Sequence, residues 1–425
     1  MTSPAAARRR APIAALLAAN LVSMVGNVLA MVAIPWYVLL TTHSAARTGV
    51  TLAVAAVPQI VAGALGGTLV DRLGFRRASV LADLASGLTI GLIPLLAALG
   101  HLAFWELLVF LFCGVLFDAP GGAARQSLIP DLAALGDVGL ERVNSAAQVV
   151  QRSSNLLGAP LAGVLIAVAG PSSALWIDAA SFLVSAALVA ALVPAILHDR
   201  PAGSTRGRYL EELRDAARFI RADALLLALT FTLTATNLLD ASLSVVLPVF
   251  AERVYGSAVA LGLMAAALGG GAVVGALVYA VLSGRLPRRA TFIGGFAGLG
   301  LGYWALAGVR TLPLTVAVLA VMGLAAGPLN PLLYTLYQER IPALLRGRVF
   351  GMLTAASWAA IPLGRLVSGS LLDGVGLSWT LIAVAVGYLA TVASMAVNPY
   401  LRRLDARDAP FSPGSGTLES AAIDR

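Results

Sequence analysis

Lysine is missing altogether, so each of the 29 basic side chains is an arginine, set against 21 acids. An all-arginine complement reads as a GC-rich genome and hence a bacterial source. The one cysteine, Cys113, sits in an apolar run, which excludes a disulfide within the chain and leaves the redox compartment open. Only three histidines occur, His43, His101 and His198, each at the end of a hydrophobic run and none at a metal-binding spacing. No phosphate-cradling glycine run is present to bind ATP, and no acid, base and nucleophile stand together as catalysis would need. No enzyme activity and no cofactor are therefore expected. Charged residues are 12% of 425, too few to clothe a water-soluble body of that length. The net charge of +8 does not indicate nucleic acid, because the arginines are scattered over short loops instead of gathered on one face.

What fills the chain is apolar: 59% hydrophobic residues and a mean hydropathy of +0.88. A bilayer core about 30 Å thick takes roughly 20 apolar residues of helix. Cutting at charged and Gly/Pro/Ser-rich breaks yields twelve spans, near 13–40, 49–70, 78–99, 102–123, 144–169, 173–197, 222–250, 260–283, 290–309, 312–337, 348–372 and 377–399. Helices are the element that fits, since unpaired backbone amides in lipid are costly and the runs lack the alternation of barrel strands. Arginine counting orients them. With the N-terminus inside, only Arg47, Arg253 and Arg310 of the loop arginines lie outside, while Arg8 to Arg10, Arg125, Arg142, Arg340 and the other loop and tail arginines face the cytoplasm of a bacterial inner membrane, as do both termini. The first run is too long for a signal peptide and reads as an uncleaved span.

The chain also repeats itself. At an offset of 213, Asn27 matches Asp240, Pro35 Pro248, Gly49 Gly262, Arg72 Arg285 and Arg152 Arg365; at 212, Asp118 matches Asn330 and Gln126 matches Gln338. An ordered series of this kind indicates duplication of half the chain. The expected organisation is a six-helix bundle over 1–197, a cytoplasmic linker with an amphipathic surface helix over 198–221, a second six-helix bundle over 222–399, and a disordered cytoplasmic tail over 400–425.

Between the second and third spans stands Gly67-Thr-Leu-Val-Asp71-Arg72-Leu-Gly74-Phe-Arg76-Arg77. It resembles the cytoplasmic-loop signature of the major facilitator superfamily, with Phe75 where that pattern has a basic residue. Gly74 permits a tight turn, the arginines stay at the headgroups, and Asp71 can hold a helix terminus or an arginine in one conformation and release it in another. The second-half equivalent, Ser283 to Arg289, keeps arginines and lacks the acid. Gly158-Ala-Pro160-Leu-Ala-Gly163 in the fifth span is similar to a motif that this superfamily associates with export; close helix packing alone is the other reading. The stretches 124–131 and 334–348 resemble the macrolide-efflux type branch, which contains drug:proton antiporters. The resemblance implies an all-α fold of twelve transmembrane helices in two six-helix pseudo-repeat bundles, with the first, fourth, seventh and tenth spans lining a central cavity.

That implied geometry ranks the charges within the membrane, each of which is costly enough to suggest a role. Asp240 comes first: Thr230, Thr234, Asn237, Asp240 and Ser244 make one polar face on the seventh span, and a carboxyl in a partly dry cavity can exchange a proton. A structural, hydrogen-bonded acid is the alternative. Asn20, Ser23 and Asn27 form the matching face on the first span. Arg152, beside Gln148 and Asn155, and Arg365, below Trp358, need a carboxylate or a wet cavity, with Asp118 and Asp240 as available partners; anchoring near the headgroups is the other possibility. Asp118 is expected to pair with Arg76 or Arg72 in a conformational latch comprising Gly67, Asp71, Arg72, Gly74, Arg76, Arg77 and Asp118. Asp83 and Asp178 are expected at the periphery, and Tyr334, Tyr337 and Trp358 are aromatic candidates for contact with an apolar or cationic substrate.

The resulting expectation is a secondary transporter, a monomer in the lipid bilayer, that exports a hydrophobic or amphiphilic small molecule in exchange for protons by alternating access. A proton-coupled nutrient symporter of the same fold is one alternative, and a scaffold or sensor that moves nothing is another.

Overall fold

The computed structural model describes residues 4–194, 214, 217–283, 285–341 and 345–404, without the side chains of 4–8, 60–72, 156, 346–348 and 403. The described chain is helical almost throughout: α1 (Pro4–Thr42), α2 (Ala45–Leu73), α3 (Phe75–Ala98), α4 (Phe104–Leu135), α5 (Leu140–Ala169), α6 (Pro171–Leu192), α7 (Ala224–Asp240), α8 (Leu243–Phe250), α9 (Ala258–Leu282), α10 (Arg288–Gly308), α11 (Leu312–Ala326), α12 (Leu329–Arg340), α13 (Arg346–Trp358), α14 (Ala360–Gly374) and α15 (Leu377–Val397). Eleven stretches are long and apolar enough to cross a membrane, and α2, 29 residues long, is a twelfth helix of comparable length. Val168 and Val281 are each 83% exposed, an arrangement that lipid, but not water, favours. The protein is a multi-pass, all-α membrane protein.

Local chemistry sets where the helices begin. Gly74, at φ +78°, turns α2 into α3 with no intervening loop, a conformation that a side chain would strain. Asp223 caps α7 by accepting from the N–H groups of Leu225 (2.9 Å) and Leu226 (3.2 Å).

Contacts divide the chain into two compact units that cut across the sequence halves. The first holds residues 1–200, 242–269 and 365–377; the second holds 201–241, 270–364 and 378–425. In the first, α1 packs on α5 and α6, α3 on α4 and α6, and α2 on α4. In the second, α10 packs on α11 and α13 on α7.

Three spans expected to be continuous are broken, all in the second half. The seventh breaks between Asp240 and Leu243, the tenth between Ala326 and Leu329, and the eleventh between Trp358 and Ala360. Pro328 and Pro362 account for two of these, since a proline removes the bond to the carbonyl four residues back and its ring collides with that carbonyl. The tail also departs from expectation at its start. Tyr400–Leu404 forms a 3-10 turn with Leu401 and Leu404 buried, because those two leucines find an apolar seat against α7. Of the linker, 214 and 217–221 are helical; the rest of the linker and the tail from 405 lie outside the described residues.

Candidate functional site

Within the first unit a buried polar network joins four helices. Its α1 members, Asn20, Ser23 and Asn27, share one face at helical spacing, as read from the sequence. Their main partner, Arg125, was expected in a cytoplasmic loop. Instead α4 runs on to Leu135, because Leu128, Ile129 and Leu132 pack against Ile13 and Leu16 of α1 and draw Arg125 inside, where it is 4% exposed. Arg125 Nε donates to Asn20 Oδ1 at 2.8 Å and Nη1 to Asp83 Oδ1 at 2.5 Å, while Nη2 lies 3.5 Å from Ser23 Oγ and 3.8 Å from Asp118 Oδ1. Ser185 of α6 donates to the other oxygen of Asp83 at 2.7 Å. Asn27 Nδ2 donates to Asp118 Oδ2 at 3.1 Å.

Two expectations are thereby corrected. Asp118 meets Asn27 and Arg125 and not Arg76, and Asp83 is an ion-paired member of the network instead of a peripheral residue, because α3 lies between α4 and α6. Arg76 donates to the carbonyl of Ala190 near the end of α6, and its repeat mate Arg289 donates to that of Ala396 in α15 at 2.6 Å. Both arginines thus serve carbonyls that a helix end leaves free. Arg77 is exposed, and the side chains of Asp71 and Arg72, with Gly67, lie outside the described residues.

Gln148 and Arg152 stand exposed on α5 with Asn155, and Arg365 donates to the carbonyl of Leu52 at 2.6 Å. Neither arginine pairs with an acid among the described residues, so the ion pairs expected with Asp118 and Asp240 are not formed. Gly158 packs on Val28, where an added Cβ would come within 2.6 Å of the valine side chain. Past the Pro160 bend, Gly163 faces Gly262: a Cβ on Gly163 would lie 3.0 Å from the Gly262 Cα. Gly49 and Gly369 cross the same way, with a Cβ on Gly49 lying 3.2 Å from the Gly369 Cα. Since Gly49 and Gly262 are repeat mates, the fold makes this close crossing twice.

In the second unit a cavity of about 150 Å³ is lined by Asn237, Asp240, Asn330, Phe292, Phe296 and Tyr388, among others. Asp240 ends α7 at the break of the seventh span, and Asn330 opens α12 just past the break of the tenth. The backbone stays in the right-handed helical region through both points, so each is a kink within a span and not an unwound stretch. Tyr388 bridges the wall: its hydroxyl is 3.5 Å from Asp240 Oδ1, and its ring stacks on Tyr303 at 5.6 Å. Asn237 donates to the carbonyl of Ser357 at 3.0 Å. Tyr334 and Trp358 do not line this cavity. Both are about half exposed, and Tyr334 stacks on Phe350 at 5.7 Å. Sequence reasoning overlooked Tyr388 and undervalued Asn330, although the repeat register already tied Asn330 to Asp118.

The sequence profile described as transmembrane secretion effector, a branch of the major facilitator superfamily, matches residues 2–415. The chain belongs to that family. This major facilitator protein is 34% identical over 405 residues to the multidrug efflux pump Tap of Mycobacterium tuberculosis, an alignment covering 93% of this chain and 95% of Tap. It is 28% identical to the enterobactin exporter EntS of Citrobacter koseri, over 87% of this chain and 86% of EntS. Its fold is similar to that of the nucleoside transporter NupG (TM-score 0.76, 12% identity, 90% of this chain and 98% of NupG). It is also similar to an inward-facing bacterial homologue of the human lysosomal transporter Spinster (TM-score 0.71, 15% identity, 97% and 100% covered). Members of this superfamily are transporters, not enzymes.

Proposed function

We propose that this major facilitator transporter exports an amphiphilic small molecule, a drug or a secreted metabolite, from a bacterial cell across its inner membrane in exchange for protons. Tap and EntS are both named for outward transport, which supports export over uptake. The observation that carries the reading is the cavity in which Asp240 and Asn330, at the kinks of two spans, face the rings of Phe292, Phe296 and Tyr388. A carboxylate and an amide beside an aromatic wall suit a molecule with one polar or cationic end and an apolar body. At about 150 Å³ the cavity takes that polar end alone, since drug-sized pockets run to about 300–1,000 Å³. The remainder of the molecule then lies outside it, and Asp240 exchanges a proton for the bound group.

In this reading the halves 1–197 and 222–399 rock about a midplane site, joined through 198–221, and the protein acts as a monomer with both termini in the cytoplasm. The loop from Gly67 to Arg77 is the conformational latch. Arg152, Gln148, Arg365, Asn20, Trp358 and Tyr334 are secondary candidates for coupling or substrate contact, and the Gly158 to Gly163 stretch for the export geometry.

Efflux of a fluorescent cationic amphiphile from cells overexpressing the protein tests this. Export should stop on addition of an uncoupler and in Asp240→Asn, whose membrane abundance should remain normal. Accumulation of the probe instead of loss would establish uptake, and flux indifferent to the uncoupler would remove proton exchange.

A further inference from the structure

We infer that Asp178, with Asp118 beside it, forms a second proton-binding site in the first unit, built into the packing of α1, α3, α4 and α6 and separate from the Asp240 cavity. The inference needs neither a transport direction nor Asp240.

Three carboxyls, Asp83, Asp118 and Asp178, share this interior with one guanidinium. Arg125 is committed to Asp83 at 2.5 Å, and Ser185 occupies the second oxygen of Asp83. Asp118 receives the Asn27 amide on Oδ2, while its buried Oδ1 has no hydrogen-bond donor and lies 3.8 Å from Arg125. Asp178 is 1% exposed, and its Oδ1 has no donor at all. The hydroxyl nearest in the chain, Ser181, turns its hydrogen to the backbone carbonyl of Asp178 at 2.7 Å.

Position then supplies the second argument. Asp178 Oδ1 points at α1 where Gly26 presents bare backbone: a Cβ there would lie 2.5 Å from that oxygen. The adjacent residue is Asn27, the partner of Asp118, so one turn of α1 touches both acids. Among the described residues no salt bridge reaches Asp178 from a neighbouring helix. α1 carries Asn20, Ser23 and Asn27 with Arg9 and Arg10 exposed near its start; α3 carries Asp83, with Arg76 spent on the Ala190 carbonyl and Arg77 exposed; α4 carries Asp118, Glu106, Asp131 and Arg125, the last held by Asp83; and on α5, Glu141, Arg142 and Arg152 are all exposed.

An ionised carboxylate so placed has no paired cation and only the neighbouring Ser181 hydroxyl to support it, an arrangement a folded protein relieves by holding the group neutral. A single proton neutralises the carboxyl without needing further ligands, and among the described residues no group of three His, Cys, Asp or Glu side chains could hold a metal ion. The step is simple protonation of the Asp178 carboxylate to the acid. Asp118, with 26% of its side chain exposed, is the neighbouring acid through which the proton enters and leaves.

Infrared spectroscopy of the purified full-length protein in lipid nanodiscs tests the proposal without substrate. Wild-type protein at neutral pH should show a protonated-carboxyl C=O band, one component of which disappears in Asp178→Asn and persists in Asp240→Asn. A wild-type spectrum lacking such a band, or one unchanged by Asp178→Asn, overturns the site. Should Asp178→Asn fail to fold, Asp118→Asn decides: removal of the neighbouring negative charge should make the component vanish at a lower pH than in wild type, and an unmoved titration overturns the proposal. If Asp240→Asn abolishes efflux while the component stays, the two proton sites are distinct; if efflux is insensitive to Asp240 and the component still disappears in Asp178→Asn, only the reading of the cavity fails.

Discussion

Asn27 Nδ2 donates to Asp118 Oδ2 at 3.1 Å, and the residues at the repeat-related positions, Asp240 and Asn330, line one cavity. Acid and amide have changed places between the halves: in the first the carboxylate sits on the fourth span, in the second on the seventh. Duplication kept an amide and an acid on the same two spans, while divergence decided which span carries the charge. Asn27→Ala removes the one donor to Asp118 Oδ2 and should cost about 1–3 kcal/mol, the price of an unmet buried acceptor. Thermal melting should show the loss. The doubly exchanged variant Asn27→Asp with Asp118→Asn, which copies the second half, should melt closer to wild type than Asn27→Ala does.

Arg125 is the sole cation in its network, so its removal leaves Asp83 charged, with the Ser185 hydroxyl but no counter-charge. Arg125→Ala should destabilise by roughly 3–5 kcal/mol and lower the folded yield, as followed by denaturation in detergent. Adding Asp83→Asn should recover part of that loss, because the stranded charge goes with it. No recovery in the double variant would mean that packing, not charge, dominates there.

The glycine crossings should behave as a pair. Gly163→Ala would put a Cβ 2.8 Å from the carbonyl of Ala258, and Gly49→Ala one 2.5 Å from that of Arg365. Neither backbone can yield without moving a helix, so both variants should lose efflux while reaching the membrane. Gly74→Ala, at φ +78° and ψ +145° with open space around it, should instead cost about 1–3 kcal/mol through backbone strain alone.

At the end of the first unit opposite Gly74, Asp373 accepts from Ser44 Oγ (2.7 Å), from the N–H groups of Ala45 (3.0 Å) and Ala46 (2.9 Å), and from Arg253 (3.0 Å). It caps α2 from another helix. Asp373→Ala should speed hydrogen exchange at the first amides of α2 and cost about 1 kcal/mol. Arg253→Ala should cost less, since that pair is one-third exposed and screened.

Much of this protein was legible in one dimension. The apolar runs dictated membrane helices because lipid satisfies no backbone amide, and the offset of 213 disclosed the doubled architecture. The polar face Asn20, Ser23, Asn27 followed from helical spacing, and the prominence of Asp240 from that spacing together with the cavity geometry the family resemblance implies. Charge placement was less legible. Arg125 lies just beyond a hydropathy break, and a window average assigns it to a loop; only the packing of Leu128, Ile129 and Leu132 against α1 shows that the helix continues. The same holds for Asp83 and Asp178, which the helix arrangement implied by the family resemblance leaves at the periphery and the packing of α3 and α6 buries.

The sequence by itself determined which segments must leave water and how often the pattern recurs, because transfer of apolar side chains to lipid adds up along the chain without regard to neighbours. Only the tertiary structure decided which acid meets which base, where a glycine lets two backbones cross, and which carboxyl is left without a donor. Those outcomes depend on distances of a few ångströms between helices far apart in the chain, and no periodicity encodes them.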